Sequence, residues 1–140
     1  MISKDFYIDH IDIINHKIPY EDLNILKAEV YPYETDEAKT YIDDDRIIFA
    51  CGIKLLRQGV GHCWVIPSIY VDKHKVSFVK EINHLLDTYS KKMKLHRIHT
   101  TIDEPFVNWI EKLGFKRESI LKHMRSDKSD EYMYVKFFDN

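Results

Sequence analysis

The fold is decided by one segment near the C-terminal end, which reads Asp103-Glu104-Pro105-Phe106-Val107-Asn108-Trp109-Ile110-Glu111-Lys112-Leu113-Gly114-Phe115. Its opening Asp-Glu-Pro is typical of a helix start, and Phe106, Ile110 and Leu113 recur at the spacing of one helical face. Gly114 predicts the helix end, because a chain that reverses from a helix into a strand needs a residue that tolerates a positive φ. The segment therefore predicts a short helix that turns directly into a strand beginning with the core residue Phe115.

Hydrophobic periodicity extends this interpretation in both directions. Apolar residues from Val76 to Met93 repeat every three or four positions, which predicts a long amphipathic helix. In chain order, the predicted elements are a strand over Phe6–Ile14, a helix between Pro19 and Pro32, a brief helix over Thr35–Lys39, a turn at Asp43–Asp45, a hairpin of Arg46–Arg57 and His62–Tyr70, the long helix over Lys73–Met93, a strand over His96–Ile102, the helix that ends at Gly114, and a hairpin of Phe115–Met124 and Tyr132–Phe138. This order predicts a single α/β (α+β) domain over residues 1–140, with helices on both faces of a mixed, largely antiparallel twisted sheet.

Composition excludes several classes of function. The 140 residues are 44% hydrophobic, which suits a folded core, and their formal net charge of -2 provides no basic field for nucleic acid. No run approaches the roughly 18 apolar residues that a membrane span needs. The four glycines do not form a phosphate loop of the Walker or dinucleotide-binding type. Two cysteines are too few for a disulfide framework, and the start of the chain lacks a basic stretch followed by an apolar run, so we expect a soluble, cytoplasmic protein.

The element order, together with Glu111-Lys112-Leu113-Gly114-Phe115, resembles the GCN5-related N-acetyltransferase (GNAT) superfamily. The closing runs Arg117–Met124 and Asp130–Val135 are similar to the last hairpin of that family, so the resemblance extends from Arg46 onward. A closer resemblance is to small GNAT-like proteins encoded by tailed phages. They share the Trp-bearing strand, here His62–Ile66, a helix start poor in glycine, and a Trp-x-x-x-Leu-Gly-Phe ending, here from Trp109. If the chain is phage-encoded, the resemblance implies action in the host cytoplasm.

The resemblance implies that the strands His62–Tyr70 and His96–Ile102 part to admit acyl-CoA, with the pyrophosphate at the start of the long helix. The family's glycine-containing loop corresponds to Val71–Phe78, which lacks both glycines. Two interpretations stay open: basic side chains replace the lost backbone contacts, or this is a solvated basic helix start that Val76 and Phe78 obstruct. The candidate cofactor-binding residues are Val65, Ile66, Pro67 and Ser68 on the strand, and Lys73, His74, Lys75, Val76 and Ser77 at the helix start.

Catalytic groups are harder to assign. Where many family members place a tyrosine that protonates the leaving thiolate, this chain has Ile110, which we interpret as a core residue. In this family the first helical region and the last hairpin form the wall of the acceptor site, so the resemblance implies Tyr132 and Tyr134 as candidate catalytic residues, and Glu34 is a candidate base. Tyr31 and Tyr33 are further candidates for the acceptor-site wall, and Asp36, His62 and Cys63 are further candidates for a base. Core packing is the alternative explanation for the tyrosines, since tyrosine commonly buries its ring.

The resemblance thus implies acetyl transfer from acetyl-CoA (or another acyl-CoA) to an amine of a small molecule or a protein, by direct attack on the thioester. We expect no metal, because His96 and His99 lie three apart on a strand and face opposite sides. The alternative is a non-catalytic GNAT-fold binding or phage-particle protein. Its expected partners are a second copy of the chain in a homodimer, or a phage or host protein.

Overall fold

The computed structural model describes residues 1–7, 9–10, 14 and 37–139, and these include seven strands in one sheet. The strands are β1 (Ile2–Asp5), β2 (Glu37–Asp43), β3 (Arg46–Arg57), β4 (Val60–Pro67), β5 (Arg97–Ile102), β6 (Lys116–Leu121) and β7 (Glu131–Phe137). They are ordered β1-β2-β3-β4-β5-β7-β6, and every neighbouring pair is antiparallel except β4 and β5. The predicted mixed, largely antiparallel sheet is confirmed.

Two helices follow the two central strands. After β4, a 3-10 turn over Val71–His74 leads into α1 (Lys75–Lys92). After β5, a second 3-10 turn over Glu104–Phe106 leads into α2 (Val107–Lys112). Gly114 has φ +85°, as its place at the helix end predicts. The Lys136 ammonium donates to the Leu113 carbonyl (3.0 Å), which satisfies one of the acceptors left open at the end of α2.

The described helices pack together on one face of the sheet. Phe78, Ile82 and Leu86 of α1 and Ile110 of α2 share a buried cluster with Phe49 and other strand residues. A smaller buried cluster forms where Phe6 and Ile14 pack against Ala50 of β3 and Trp64 and Ile66 of β4. On β4, Trp64 and Ile66 alternate with Cys63, which belongs to the larger cluster, so the two clusters lie on opposite faces of the sheet. The helix predicted between Pro19 and Pro32 lies outside the described residues.

The predicted strand over Phe6–Ile14 is wrong for the residues that the structure describes. The strand lies earlier, at Ile2–Asp5, and the chain then turns, with the Ile14 N–H donating to the His10 carbonyl four residues back (2.9 Å). Phe6, His10 and Ile14 are all buried. Their spacing of four is the repeat of a helical face, and it outweighs the alternation that predicted a strand.

The predicted helix over Thr35–Lys39 is also wrong where the chain is described, because Glu37–Asp43 forms β2. This strand pairs with β1 on one side and β3 on the other, and buries Thr40 and Tyr41. Two-sided pairing decides the structure here, since it satisfies the backbone groups that a short helix would leave open. The predicted turn that follows is confirmed, with Asp44 and Asp45 at φ 53° and 60°. Aspartate tolerates this left-handed conformation.

Candidate active site

The central feature of the sheet is the place where β4 and β5 part. Their parallel pairing is limited to Val60 with Arg97, Gly61 with Ile98 and His62 with His99. Beyond His62, β4 continues to Pro67 beside β3, while β5 continues to Ile102 beside β7. A wedge-shaped gap therefore opens between the two strands, with its apex at the His62–His99 pair.

One backbone N–H of the predicted strand residues faces this gap. The Ser68 N–H donates to the Ile48 carbonyl of β3 (2.9 Å), and successive N–H groups along a strand point to alternate sides. The N–H of Ile66 therefore faces β3, whereas the N–H of Val65 faces the gap. Pro67 has no N–H to offer. Of the four predicted residues on β4, Val65 is the donor that the geometry aims at a ligand in the gap.

Ser68 has a structural role at the end of β4. Its side chain is fully buried, and its hydroxyl donates to the Ile48 carbonyl (2.8 Å) while accepting from the Tyr70 N–H (3.1 Å). The 3-10 turn then uses its own backbone, with the Val71 N–H on the Ser68 carbonyl and the Lys73 N–H on the Tyr70 carbonyl. The N–H groups of Tyr70, Val71 and Lys73 are thus engaged within the turn.

His74 ties the start of α1 to the β2–β3 turn. Its Nδ1 donates to the Tyr70 carbonyl (3.0 Å) and its Nε2 pairs with the Asp43 carboxylate (2.9 Å). The carbonyl first, and the carboxylate next, raise the pKa of the imidazole above its ordinary value. This predicted ligand residue is therefore directed at Asp43 and the turn.

A groove of about 530 Å³ lies between α1 and α2. Among the described residues, its lining combines three lysines with an aromatic ring and apolar side chains: Lys75, Val76, Val79, Lys80, Asn108, Trp109 and Lys112. The Lys75 ammonium lies 5.9 Å from the centre of the Trp109 ring. The two helices that form the groove follow β4 and β5, the strands that border the gap, and no residue of either strand is among the described lining residues. The charge of the groove suits an anion, and its tryptophan suits a flat ring.

The other predicted residues of the helix start have separate surroundings. Val76 is 84% exposed and lines the groove, and Ser77 is half-buried beside it. Phe78 turns into the core, where its ring meets Trp109 edge-on at 4.6 Å, so it does not obstruct the helix start. Lys73 is exposed and lies outside the groove lining. The structure thus shifts the candidate anion-binding lysines toward Lys75, Lys80 and Lys112.

The two tyrosines of β7 share one face, on the side of the helices. Tyr134 is buried, and its hydroxyl donates to Glu111 (3.2 Å) and accepts from the Arg117 guanidinium (3.3 Å). Tyr132 is half-buried under the Arg117 guanidinium, 4.2 Å from its ring centre. A hydrogen bond with Glu104 raises the pKa of Tyr132. Both rings pack between sheet and helix, and β5 separates both from the gap.

The remaining predicted catalytic and acceptor-site residues include some that the structure describes and some that it does not. Glu34, Asp36, Tyr31 and Tyr33 lie outside the described residues. Ile110 is buried in the core, as predicted. Burial raises the pKa of the Cys63 thiol to about 12, so the thiol stays protonated at neutral pH. His62 lies at the apex of the gap.

The pairing of His62 with His99 is a feature that the sequence did not predict. The two are neighbours in the last parallel pair, and their ring centres lie 5.6 Å apart. His62 and His99 are 37 positions apart in the chain, and no local spacing indicates such a pairing.

Among the described residues, no three histidine, cysteine or carboxylate side chains are grouped to hold a metal ion. None of the helices in the described ranges is long and apolar enough to cross a membrane.

The architecture is the acetyltransferase fold of the GNAT superfamily. An aminoglycoside 6'-acetyltransferase of type Ii matches with a TM-score of 0.74 at 16% identity, over 98% of this chain and 97% of its own. A mutant of the spermidine N-acetyltransferase SpeG from Vibrio cholerae matches with a TM-score of 0.69 at 14% identity, over 98% of this chain and 95% of its own. A GNAT-family acetyltransferase from Streptococcus pneumoniae matches with a TM-score of 0.69 at 11% identity, over 98% of each chain. At these identities the likeness establishes the fold. No protein-family model and no curated protein matches the sequence.

Proposed function

We propose that the protein is an acyl-CoA-dependent N-acyltransferase that moves an acetyl group, or another acyl group, from CoA to an amine of a small molecule or protein. The observation that carries this proposal is the gap where β4 and β5 part. The basic groove between α1 and α2, the helices that follow these two strands, supports it. An acyl-CoA has matching parts: a narrow thioester arm for the gap, and phosphates with a flat adenine for the groove.

The groove residues supply the contacts that the glycine-poor loop does not. Lys75, Lys80 and Lys112 provide charge for the phosphates, and Trp109 provides a surface for the adenine. Their location supports the interpretation in which side-chain charge replaces loop N–H groups. The positive end of the 18-residue helix α1 adds to the same field.

Transfer is proposed to proceed by direct attack within the gap. The Val65 N–H polarises the thioester carbonyl and stabilises the negative charge that develops on its oxygen. The amine attacks the carbonyl carbon, the carbon–nitrogen bond forms, and the carbon–sulfur bond breaks to release CoA. Tyr132, Tyr134 and Glu34 are the residues predicted to supply or accept a proton. Because β5 lies between the gap and both tyrosines, neither hydroxyl is placed in direct contact with a thioester in the gap. Of the two tyrosines, Tyr132 is the more accessible.

The test is calorimetric titration with acetyl-CoA of the wild-type protein and of Lys75→Glu and Lys112→Glu. Each reversal replaces a groove cation with an anion, so we expect the dissociation constant to rise by at least about tenfold, which corresponds to about 1.4 kcal/mol. Lys122→Glu makes the same charge change at an exposed site beyond β6 and is expected to leave binding unchanged.

Activity is then measured as CoA release with a panel of amines that includes spermidine and an aminoglycoside. A wild-type protein that shows no saturable binding at millimolar acetyl-CoA contradicts the proposal. Equal weakening by Lys122→Glu contradicts the assignment of the groove, because a general charge effect would then explain the loss.

Two observations favour the alternative, a non-catalytic binding or phage-particle protein with this fold. The N–H groups of Tyr70, Val71 and Lys73 are engaged within the turn before α1. The buried Ile110 stands where the family resemblance places the usual acid. A protein that binds no acyl-CoA but forms a stable homodimer, or a complex with a phage or host protein, would support this alternative.

A further inference from the structure

Tyr134 of β7 is connected to α2 and to β6 by the two hydrogen bonds of its hydroxyl. The side chain is buried, and the hydroxyl donates to the Glu111 carboxylate (3.2 Å) and accepts from the Arg117 Nε–H (3.3 Å). Because a guanidinium only donates, the hydroxyl oxygen accepts from Arg117 and the hydroxyl hydrogen is directed at Glu111. A chain of hydrogen bonds thus runs from β6 through β7 to α2.

The position of α2 depends on contacts with the rest of the molecule. The helix has six residues, which is less than two turns, and no side chain caps its start. A helix of this length is not stable by itself in water. Its buried Ile110 packs in the core, and β7 holds it at two further places. Tyr134 donates to Glu111, and the Lys136 ammonium donates to the Leu113 carbonyl (3.0 Å).

Glu111 and Trp109 lie on opposite sides of α2. Successive residues of an α-helix are about 100° apart around its axis, so these two side chains are about 200° apart. Glu111 contacts β7, whereas the Trp109 ring meets Phe78 of α1 edge-on at 4.6 Å and lines the groove. A rotation of α2 that breaks the hydrogen bond between Tyr134 and Glu111 therefore also moves Trp109 relative to the groove.

We propose that Tyr134 is a positioning residue for acyl-CoA binding. Through Glu111 it fixes the rotation of α2, and α2 holds the Trp109 ring in the groove, where a flat base can pack against it. This inference rests on the proposed function. It gives Tyr134 a role other than proton transfer, since its hydroxyl is engaged by Arg117 and Glu111 and β5 lies between it and the gap. Tyr134 then governs the affinity for acyl-CoA, and the rate of transfer does not depend on it.

The first experiment compares Tyr134→Phe with the wild-type protein and with Tyr89→Phe, a matched loss of a hydroxyl at a half-buried tyrosine of α1 outside the groove lining. Calorimetry measures the Kd for acetyl-CoA, and CoA release with the best amine of the panel measures KM for acetyl-CoA and kcat. We expect Tyr134→Phe to raise Kd and KM about threefold to tenfold and to keep kcat within about twofold. Tyr89→Phe is expected to match the wild type. A lowered kcat with unchanged Kd and KM would assign proton transfer to Tyr134 and overturn the proposal.

Variants of Glu111 test whether Tyr134 acts through this carboxylate. Glu111 is exposed, so its replacement is expected to leave the protein folded. Glu111→Gln and Glu111→Ala both remove the negative charge, but glutamine keeps an oxygen that can accept from the Tyr134 hydroxyl. We expect Glu111→Gln to keep the acetyl-CoA affinity within about twofold and Glu111→Ala to match Tyr134→Phe. The double variant Tyr134→Phe, Glu111→Ala should bind no more weakly than either single variant, because both remove one hydrogen bond. Additive losses overturn the route through Glu111.

A measurement without ligand separates this inference from the proposed function. The two tryptophans, Trp64 and Trp109, give two indole N–H signals in an NMR spectrum, which Trp109→Phe assigns. In Tyr134→Phe we expect the Trp109 signal to shift or broaden, while Trp64, in the cluster on the opposite face of the sheet, keeps its signal. An unchanged Trp109 signal overturns the positioning role. A wild-type protein that binds no acetyl-CoA overturns the proposed function, and with it the acyl-CoA part of this inference, whatever the NMR result.

Discussion

At the scale of single residues, His62 makes folding sensitive to acid. Burial lowers its pKa from the ordinary 6.5 to about 4 in the folded state. Below pH 6.5 the unfolded chain binds the proton more readily, so stability is fully present above 6.5 and falls as the pH drops toward 4. The difference corresponds to about 3 kcal/mol at most.

We expect His62→Gln to flatten the decline of the free energy of unfolding between pH 6.5 and 4.5, measured by denaturant titration. His10 and His99, whose pKa values are also lowered, keep part of the decline in the variant. His84→Gln serves as the control and should retain the full wild-type slope. A His62→Gln slope equal to the wild-type slope would mean that His62 titrates normally in the folded protein.

At the scale of elements, the start of α1 depends on the His74–Asp43 pair. The pKa of His74 is raised, so the pair stabilises the fold fully below pH 6.5, and this contribution is lost as the pH rises through the folded-state value. Asp43 is 45% exposed, so solvent screening limits the contribution to about 1 kcal/mol or less. His74→Gln should therefore destabilise the protein more at pH 6 than at pH 9, in thermal or denaturant unfolding. An equal loss at both pH values would assign the effect to packing alone.

Elements with local sequence signals could be predicted, whereas elements that depend on distant strands could not. The α2 end at Gly114 and the long helix α1 were predictable, because capping and a period of 3.6 are local signals. Residues 37–39 were predicted as helix, since their pairing with both β1 and β3 depends on distant strands. The candidate site likewise has a part that could be predicted from the sequence and a part that could not. A resemblance implied the parting of the strands, whereas the lysines of the groove and the His62–His99 pair depend on how distant elements pack.

At the scale of the whole molecule, a chain of aromatic rings joins the sheet to both helices. Tyr41 of β2 stacks on Phe49 of β3 at 4.4 Å, Phe49 meets Phe78 of α1 edge-on at 4.9 Å, and Phe78 meets Trp109 of α2 at 4.6 Å. Phe49 is fully buried at the centre of this chain. Because Trp109 also lines the groove, the packing of the core and the shape of the proposed acyl-CoA site are mechanically connected.

Phe49→Ala should therefore cost about 3–5 kcal/mol in the free energy of unfolding, a large fraction of the roughly 5–15 kcal/mol typical of a folded domain. Its effect is expected to extend to the groove, because removing the ring leaves Phe78, and through it Trp109, without support on the sheet side. Tryptophan fluorescence under native conditions and denaturant unfolding measure the two effects. Val76→Ala truncates an 84% exposed side chain and should change stability by less than about 0.5 kcal/mol. A loss below about 1 kcal/mol in Phe49→Ala would show that α1 and the sheet are held together by other contacts, and that the ring chain does not couple the core to the groove.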